Sequence, residues 1–412
     1  MVMRLLLTFF TLFAATLAAD SQPVDASREL DYCARQTRRA LHYLQPYEFN
    51  RMPRNIMPGQ QRWNLRPAVP EEWCSGFWPG VLWMVYGHTG DHDVRKAAEG
   101  YTEAIAPIIA QRVYDHDLGF IVINSLLKGY EQTSSRRYRQ LALQAADSLA
   151  TLYNKKVGTL LSWPRHVKDY GGHNTIMDNM INLELLLWAD SQTRGSSQRR
   201  KQGRSRYYDI AVSHADTTMR YHFRSDASCY HVAVYDTLTG RFLRGVTHQG
   251  YADWSMWSRG QAWAVYGYTM VYRYTRQQRF LDFACRVANT YLRRLVETSD
   301  DMVPLWDMDY PVEASTEKRT TDNLKHKDAS AACVMASALI ELDGYAPGHG
   351  YREMASQMLA DLSSDRYQSR GNNVAFLMHS TGHHPAGTEI DASIVYADYY
   401  YIEALTRYLC TK

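Results

Sequence analysis

The alternation of two kinds of helical segment along the chain constrains its fold more than any other feature. Every second segment has a single apolar face, as in 277–298, where Leu281, Ala284 and Ala288 recur at helical spacing. The segments between them are apolar nearly all round, as in 181–188, and a helix apolar on every face is a buried one. The predicted helical segments are 27–45, 77–89, 91–112, 118–131, 135–153, 175–192, 206–222, 258–275, 277–298, 328–343, 348–365 and 391–409.

Six amphipathic helices alternating with six buried ones predict a single-domain, all-α fold, the (α/α)6 barrel or six-hairpin toroid. Consecutive helices joined by short loops pack antiparallel, so the inner helices share one direction and their N-termini meet at one end. The longer stretches precede inner helices, so we expect them to cover that end, and we expect no series of strands. A helical solenoid would require stronger similarity between repeats. The polar stretch 194–206 is predicted to be a solvated loop at the opposite end.

The N-terminus has the pattern of a secretory signal, with Arg4 before an apolar run and Ala18-Ala19 as a small-residue cleavage site. We therefore expect residues 1–19 to be removed and 20–412 to form the barrel. This predicts an exported protein, periplasmic if the source is Gram-negative. The apolar run is too short for a transmembrane helix, and a net charge of +3 does not indicate nucleic-acid binding. The sequence indicates no oligomeric state.

The cysteine and histidine patterns indicate neither a metal site nor a cofactor. The six cysteines show no zinc-like spacing, and although a large core needs no disulfides, one or two bridges remain open after export. Neither the turn 88–93 nor the pair His383-His384 offers a credible set of metal ligands. Nucleophile elbows, phosphate loops and dinucleotide fingerprints are absent from the sequence. We predict no metal and no cofactor.

Two aspartates stand where inner helices begin, Asp117 before 118–131 and Asp178 within 175–192. If both helices line one barrel, both carboxylates face one pocket, as an enzyme that hydrolyses glycosides requires. Asp117 could instead cap its helix. Thr175 is the better cap of the second helix, which leaves Asp178 facing inward among apolar residues. Such surroundings raise the pKa of a carboxyl group, so Asp178 is the predicted proton donor.

The segment 249–263 carries the densest cluster of polar and aromatic residues. Arg259 and Trp263 lie one helical turn apart, an arrangement that suits a carboxylated sugar: the guanidinium would pair with the carboxylate while the ring stacks. Cation–π packing within the core is an equally good interpretation.

With these motifs, the chain resembles the unsaturated glucuronyl hydrolases of glycoside hydrolase family 88. The resemblance covers nearly the whole chain after the signal sequence, and its specific parts occur in the family's order. These parts are Trp73-Cys74-Ser75-Gly76-Phe77-Trp78-Pro79-Gly80, His116-Asp117-Leu118-Gly119-Phe120, 176–187 around Asp178, 249–263, and 389–400.

The resemblance implies an (α/α)6 barrel and an unusual chemistry, the hydration of a C4=C5 double bond that polysaccharide lyases leave on a uronic acid. Asp178 would be the general acid/base that protonates C4 and helps deliver water to C5, and Asp117 the second essential aspartate. The implied partner is an unsaturated uronic-acid oligosaccharide from a glycosaminoglycan. Implied substrate contacts are His116, Trp163, His231, Gln249, Arg259, Trp263, and either Trp73 or Trp78.

The sequence leaves three other functions open. An unsaturated rhamnogalacturonyl hydrolase would process the same double bond in pectin fragments. A polysaccharide lyase built on the same barrel would create the double bond instead of consuming it. A non-catalytic sugar-binding protein would leave the fragments intact.

Overall fold

The computed structural model describes residues 23–44, 49–193, 204–311 and 321–411. The predicted signal peptide and most of the predicted polar loop, residues 194–203, lie outside the described residues. The described residues contain twelve long helices in the predicted order. They are α1 (Ala26–Leu44), α2 (Phe77–Thr89), α3 (His92–Glu103), α4, α5 (Arg136–Ala150), α6 (Asn179–Thr193), α7 (Arg206–Tyr221), α8 (Ser258–Thr275), α9 (Gln278–Thr298), α10 (Ala329–Asp343), α11 (Tyr351–Leu362) and α12 (Val395–Cys410). Helix α4 joins the α-helical turns Leu118–Val122 and Lys128–Thr133 through the π-helical Ile123–Leu127.

The even-numbered helices form a closed inner ring. Each packs against the next one, and α12 packs against α2 to complete the circle. The odd-numbered helices pack outside it, each against an inner neighbour. The inner helices are buried nearly all round, as in α8, whose residues from Ser258 to Val271 are all buried. The predicted (α/α)6 barrel is confirmed.

Two glycines of the 73–80 motif allow α2 to pack closely against α4. A Cβ on Gly76 would lie 2.3 Å from the carbonyl oxygen of Ile121, and one on Gly80 would lie 2.2 Å from that of Asn124. Side chains at these positions would force the two helices apart. The motif therefore sets the distance between α2 and α4 beside the turn that contains Asp117.

The prediction that the chain lacks a series of strands is wrong. The described residues form eight short strands in three small antiparallel sheets near the helix openings. They are β1 (Arg51–Ile56), β2 (Asn64–Pro67), β3 (Tyr153–Asn154), β4 (Thr159–Leu160), β5 (His173–Ile176), β6 (Val232–Tyr235), β7 (Phe242–Val246) and β8 (Ser393–Ile394). The sheets have the strand orders β2-β1-β8, β3-β4 and β5-β6-β7.

Strand pairing also corrects two predicted helix starts. Thr175, predicted to cap the third inner helix, pairs with Ala233 within the β5–β6 ladder, so α6 begins only at Asn179. Ser393 pairs with Ile56, so α12 begins at Val395 rather than near 391. In both places the partner strand comes from a distant part of the chain. Tertiary pairing overrides the local helical pattern there.

Partly buried ion pairs tie the inner helices together towards their C-terminal end. Arg273 of α8 bonds Glu184 of α6 and, at 3.0 Å, Glu341 of α10. Arg407 of α12 reaches the same Glu341 at 2.9 Å. Charge pairs between neighbouring inner helices stabilise this end of the barrel. No helix in the described part of the chain is long and apolar enough to cross a membrane.

Candidate active site

Asp117 lies at the opening of α4, beside a histidine that the chain holds in one orientation. The fully buried His116 accepts a hydrogen bond at Nδ1 from Asn182 Nδ2 at 2.9 Å. The side-chain oxygen of Asn182 accepts the backbone N–H of Phe120 at 2.7 Å, which assigns the orientation of the amide. A ring that accepts at Nδ1 carries its proton on Nε2. That atom lies 3.5 Å from Asp117 Oδ1.

Asp178 lies in the turn between β5 and α6, beside a second oriented histidine. His231 accepts at Nδ1 the backbone N–H groups of His248 at 3.2 Å and Gln249 at 3.1 Å. Its Nε2–H therefore faces Asp178 Oδ2, at 3.6 Å. Each aspartate has its own histidine, and each histidine is oriented by groups from another segment of the chain.

Burial raises the pKa of Asp117 well above its usual range, and the carboxylates of Asp115 and Asp178 raise it further. The Asp117 side chain makes no capping hydrogen bond to α4 within the described residues. Helix capping therefore does not account for this carboxyl group. A raised pKa favours the protonated form of this acid.

Asp178 carries the opposite pKa shift. Burial raises its pKa, but the polar ring of the adjacent His231 leads the effects that outweigh burial and leave the pKa lowered. The prediction that Asp178 has a raised pKa is therefore wrong. Its sequence neighbours are apolar, as predicted, but the polar group that decides its pKa comes from the segment before β6.

Three buried polar atoms in this pocket have no hydrogen-bond partner among the described residues: His116 Nε2, Asp178 Oδ2 and His231 Nε2. Buried polar atoms are normally satisfied, and exceptions cluster where a ligand binds. Two donors and one acceptor facing one pocket suit a ligand that carries several hydroxyl groups.

Trp163 forms the wall between the two histidines. Its ring centroid lies 6.3 Å from that of His116 and 6.1 Å from that of His231, edge-on to both. Tyr170 stacks on the other side, at 6.1 Å. The backbone N–H of Trp163 donates to Asn174 Oδ1 at 2.9 Å, which anchors the indole to β5. A flat apolar surface between polar groups is suited to a sugar ring.

The profile of Glycosyl Hydrolase Family 88 matches residues 42–408. The chain belongs to this family and is a glycoside hydrolase. It is 38% identical over 367 residues to an unsaturated glucuronyl hydrolase of Formosa agariphila, covering 88% of this chain and 86% of the relative. A second relative of that name, from Bacillus sp., is 32% identical and covers 82% and 86% of the two chains. The crystal structure of an unsaturated glucuronyl hydrolase specific for heparin superposes with a TM-score of 0.80 at 36% identity, covering 93% of this chain and 96% of that one.

In this family 88 enzyme, the guanidinium of Arg259 is bound by the protein itself. It donates to Asp328 Oδ2 at 2.5 Å and to the carbonyl oxygens of Thr381 and Gly382 at 2.6 Å each. Gln249 Nε2 donates to the same Gly382 oxygen at 3.0 Å. Arg259 therefore supports the 381–382 loop with its hydrogen bonds and acts on the pocket through its charge.

The arrangement predicted for a carboxylated sugar, with Arg259 pairing with the carboxylate while the ring of Trp263 stacks on the sugar, is not the one that the structure shows. The guanidinium lies 4.7 Å from the ring of Trp257, whereas Trp263 is fully buried and packs edge-on against Phe120 and Tyr400. The alternative of cation–π packing inside the core describes Arg259 correctly, with a different tryptophan. Trp263 sits beneath the pocket rather than in its wall.

Of the two candidate tryptophans in the first motif, the structure places Trp73 nearer the pocket. Trp73 is partly exposed, contacts Phe120 and lies under the guanidinium of Arg54 at 5.6 Å. Trp78 is 1% exposed and packs near Trp63 in the core. The structure thus brings together His116, Asp117, Trp163, Asp178, His231 and, at the edge, Trp73.

Sequence reasoning missed Arg54, which pairs with Glu389 at the edge of this site. Arg54 Nε and Nη2 donate to the two carboxylate oxygens of Glu389 at 2.7 and 2.9 Å. The charge of Arg54 also lowers the pKa of Asp117 and so opposes part of the rise that burial causes. The segment around Arg54 has no sequence pattern that predicts a site, because the partner of Arg54, Glu389, lies 335 residues away.

In the described part of the chain, no group of three or more histidines, cysteines, aspartates or glutamates is arranged to hold a metal ion. The six cysteines are all free thiols, and burial raises the pKa of Cys33, Cys74 and Cys333 well above the usual range. The aspartates and histidines of the pocket can supply acid–base chemistry.

Proposed function

We propose that this enzyme removes the 4,5-unsaturated glucuronic acid from the non-reducing end of glycosaminoglycan fragments produced by polysaccharide lyases. The observation that carries the proposal is the pair Asp117 and Asp178, two neighbouring buried carboxyl groups whose pKa values shift in opposite directions. The names of the relatives support the same substrate class.

The chemistry follows from the vinyl ether of the unsaturated ring. A proton added to C4 leaves a positive charge shared by C5 and the ring oxygen, and a nearby carboxylate stabilises such a charge. Water then adds to C5 and gives up its proton to a carboxylate. The hemiketal formed at C5 opens the ring, and the resulting C1 hemiacetal releases the remaining sugar. The sequence consumes one water molecule and returns the enzyme's proton.

This reaction requires one proton donor and one proton acceptor, and the paired aspartates supply both from a single shared proton. Before substrate binds, the raised pKa of Asp117 and the lowered pKa of Asp178 favour that proton on Asp117. A bound uronate brings a further negative charge and excludes water, and both effects raise the pKa of Asp178. We infer that the proton then passes to Asp178, which takes the acid/base role, while Asp117 becomes the stabilising carboxylate.

Other functions are less well supported. The relatives are named for glucuronyl substrates and not for rhamnogalacturonyl ones. A lyase would need a tyrosine or histidine base together with a group that neutralises the uronate. A sugar-binding protein would have no use for two carboxyl groups with opposed pKa shifts.

The test follows the ultraviolet absorbance of the C4=C5 bond in lyase-generated disaccharides, sulfated and unsulfated. Wild type should remove the absorbance steadily. Asp178→Asn and Asp117→Asn should each lose at least about a hundredfold in kcat, the scale of general acid–base catalysis. Asp216→Asn, which alters an exposed aspartate paired with Arg279, is the matched control. Normal turnover by folded forms of both pocket variants would refute the mechanism, and a rise in absorbance would indicate a lyase.

We also propose that the enzyme is exported with cleavage after Ala19, and that in a Gram-negative cell it resides in the periplasm. Arg4, the apolar run to Leu17 and the Ala18-Ala19 pair support this. Cell fractionation followed by mass spectrometry of the intact protein should find a chain that begins at Asp20. A cytoplasmic chain that retains residues 1–19 would contradict the proposal.

A further inference from the structure

The outer helix α1 carries a concave patch of arginines. The cavity, of about 490 Å³, is lined by Arg28, Arg35 and Arg39 of α1 and by Arg370 of the loop between α11 and α12. All four arginines are exposed. None of the residues that form the aspartate site belongs to this lining. We call the cavity the arginine pocket.

The three arginines of α1 form one row. Positions 28, 35 and 39 differ by seven and four residues, a spacing that places them on one face of the helix. With a rise of about 1.5 Å per residue, the row extends along roughly 16 Å of the helix. A small anion can contact only part of such a row, whereas a linear polyanion can contact all of it.

Acidic side chains neutralise only part of this charge. Arg28 pairs with the buried Glu29 at 2.9 Å, and Arg370 pairs with an exposed aspartate of its own loop. Among the described residues, Arg35 and Arg39 have no carboxylate partner. Like charges four residues apart on a helix repel each other, so this pair destabilises α1 unless an anion lies beside it.

Hydrogen bonds within the protein fix the floor of the arginine pocket. The hydroxyl of Tyr32 donates to the carbonyl oxygen of Phe376 at 2.7 Å and accepts the backbone N–H of Arg370 at 3.1 Å. Gln36 Nε2 donates to the carbonyl oxygen of Ala375 at 2.7 Å. Arg370 has a φ of 40°, in the left-handed region that residues with side chains avoid. The fold holds this strained position, so the pocket exists before a ligand arrives, which lowers the entropic cost of binding.

The chemistry of the lining favours an anionic saccharide. A guanidinium binds carboxylates and tetrahedral oxyanions through two parallel hydrogen bonds, and sulfate esters are such oxyanions. Among the described residues that line the pocket, Tyr32 is the only aromatic one, and it is 8% exposed, so nucleic-acid bases would find no surface for stacking. Sulfated glycosaminoglycans carry both kinds of anion along a linear chain.

We propose that the arginine pocket is a second carbohydrate-binding site, which holds a sulfated stretch of a glycosaminoglycan chain independently of the aspartate pocket. The choice of ligand rests on the proposed function. The site performs no chemistry. It keeps the enzyme on the polymer, where lyases produce new unsaturated ends, and the turnover of a free disaccharide does not depend on it.

The test measures the binding of a heparin octasaccharide whose non-reducing end is saturated, so that the proposed reaction cannot consume it. Isothermal titration calorimetry should show binding to wild type that weakens as salt is added. Arg35→Gln/Arg39→Gln should lower the affinity at least about tenfold, because two guanidinium groups are lost. Arg39 also bonds Gln36 Oε1 and the carbonyl oxygen of Arg370, each at 2.5 Å. Arg35→Gln alone removes no such bond and should lower the affinity at least about threefold.

The matched control is Arg112→Gln/Arg293→Gln, which removes two exposed arginines elsewhere and therefore the same net charge. It should bind the octasaccharide as wild type does. Every variant should process an unsaturated disaccharide within twofold of wild type. A desulfated octasaccharide should bind at least about tenfold more weakly than the sulfated one.

Four results would overturn the second site. They are an unchanged affinity in both arginine-pocket variants, an equal loss in the control, equally tight binding of a DNA oligonucleotide of the same charge, and displacement of the octasaccharide by inorganic sulfate at an equal concentration. The last would indicate a site for single anions. If wild type binds the octasaccharide as expected but does not consume the disaccharide, the proposed function fails and the second site stands.

Discussion

Replacing Gly119 with alanine should disturb the hydrogen bonds that orient His116. A Cβ on Gly119 would lie 2.3 Å from Asn182 Oδ1 and 2.6 Å from Asn182 Cβ, far inside contact distance. Asn182 would have to move away from α4. It would then lose its bonds to the backbone N–H of Phe120 and to His116 Nδ1.

The contacts set the size of the effect. Overpacking a close-packed core costs about 1–3 kcal/mol. Each of the two lost hydrogen bonds contributes about 0.5–1.5 kcal/mol net. The free energy of unfolding should therefore fall by about 2–6 kcal/mol. Because His116 would no longer be held with Nε2–H towards Asp117, kcat/KM should fall at least about tenfold, equivalent to about 1.4 kcal/mol in the transition state.

Urea unfolding followed by far-ultraviolet circular dichroism measures the stability, and the absorbance assay measures kcat/KM. Asn182→Ala removes the same two bonds without the clash, so it should lose less stability than Gly119→Ala and a similar amount of activity. Gly344→Ala is the matched control, because its Cβ would meet only the Glu341 carbonyl oxygen, at an ordinary 3.4 Å. Wild-type stability and activity in Gly119→Ala would refute the role assigned to Asn182.

Three further predictions concern charge. Burial lowers the pKa of His222 to about 3, so the neutral ring contributes stability that is present above about pH 6.5 and is lost as pH falls towards 3, at up to about 1.4 kcal/mol per pH unit. His222→Phe should therefore flatten the pH dependence of the free energy of unfolding measured in urea. The same pH dependence in this variant as in wild type would contradict the prediction. Arg259→Met should lower the free energy of unfolding by about 3–5 kcal/mol, because it leaves Asp328 buried without its cation. Arg279→Met removes a surface ion pair and should lower it by at most about 1 kcal/mol. Equal losses in the two variants would show that the buried pair stabilises the fold no more than the surface pair. The kcat/KM of wild type should fall as pH rises through the raised pKa of Asp117, because Asp117 and Asp178 then lose the proton that they share. A kcat/KM that stays constant into the alkaline pH range would be inconsistent with a shared proton.

Local patterns predicted the helices well and the strands poorly. Apolar periodicity located the twelve long helices of the described residues, because the residues that pack inside the barrel recur at helical spacing along each helix. It failed at 175–178 and 391–394, where short segments pair with distant strands. The eight strands are two to six residues long, and such short runs carry little periodic signal of their own.

Site residues were predicted where a motif carried them and missed where a distant partner defined them. The structure brings His116, Asp117, Asp178 and His231 together; the motifs contained the first three, and the family resemblance implied His231. Arg54 lay outside every motif because its role depends on Glu389 at the far end of the chain.

The sequence by itself determined the barrel and the end of the barrel at which the two aspartates lie, because periodicity and helix openings are local properties. Only the tertiary structure decided in which direction the pKa of each aspartate shifts and which tryptophan lies beside Arg259. A pKa depends on burial and on neighbouring charges, and the neighbours of Asp178 come from segments far from it in sequence. Residues such as His231 and Arg54 acquire their roles only when folding brings them to the pocket.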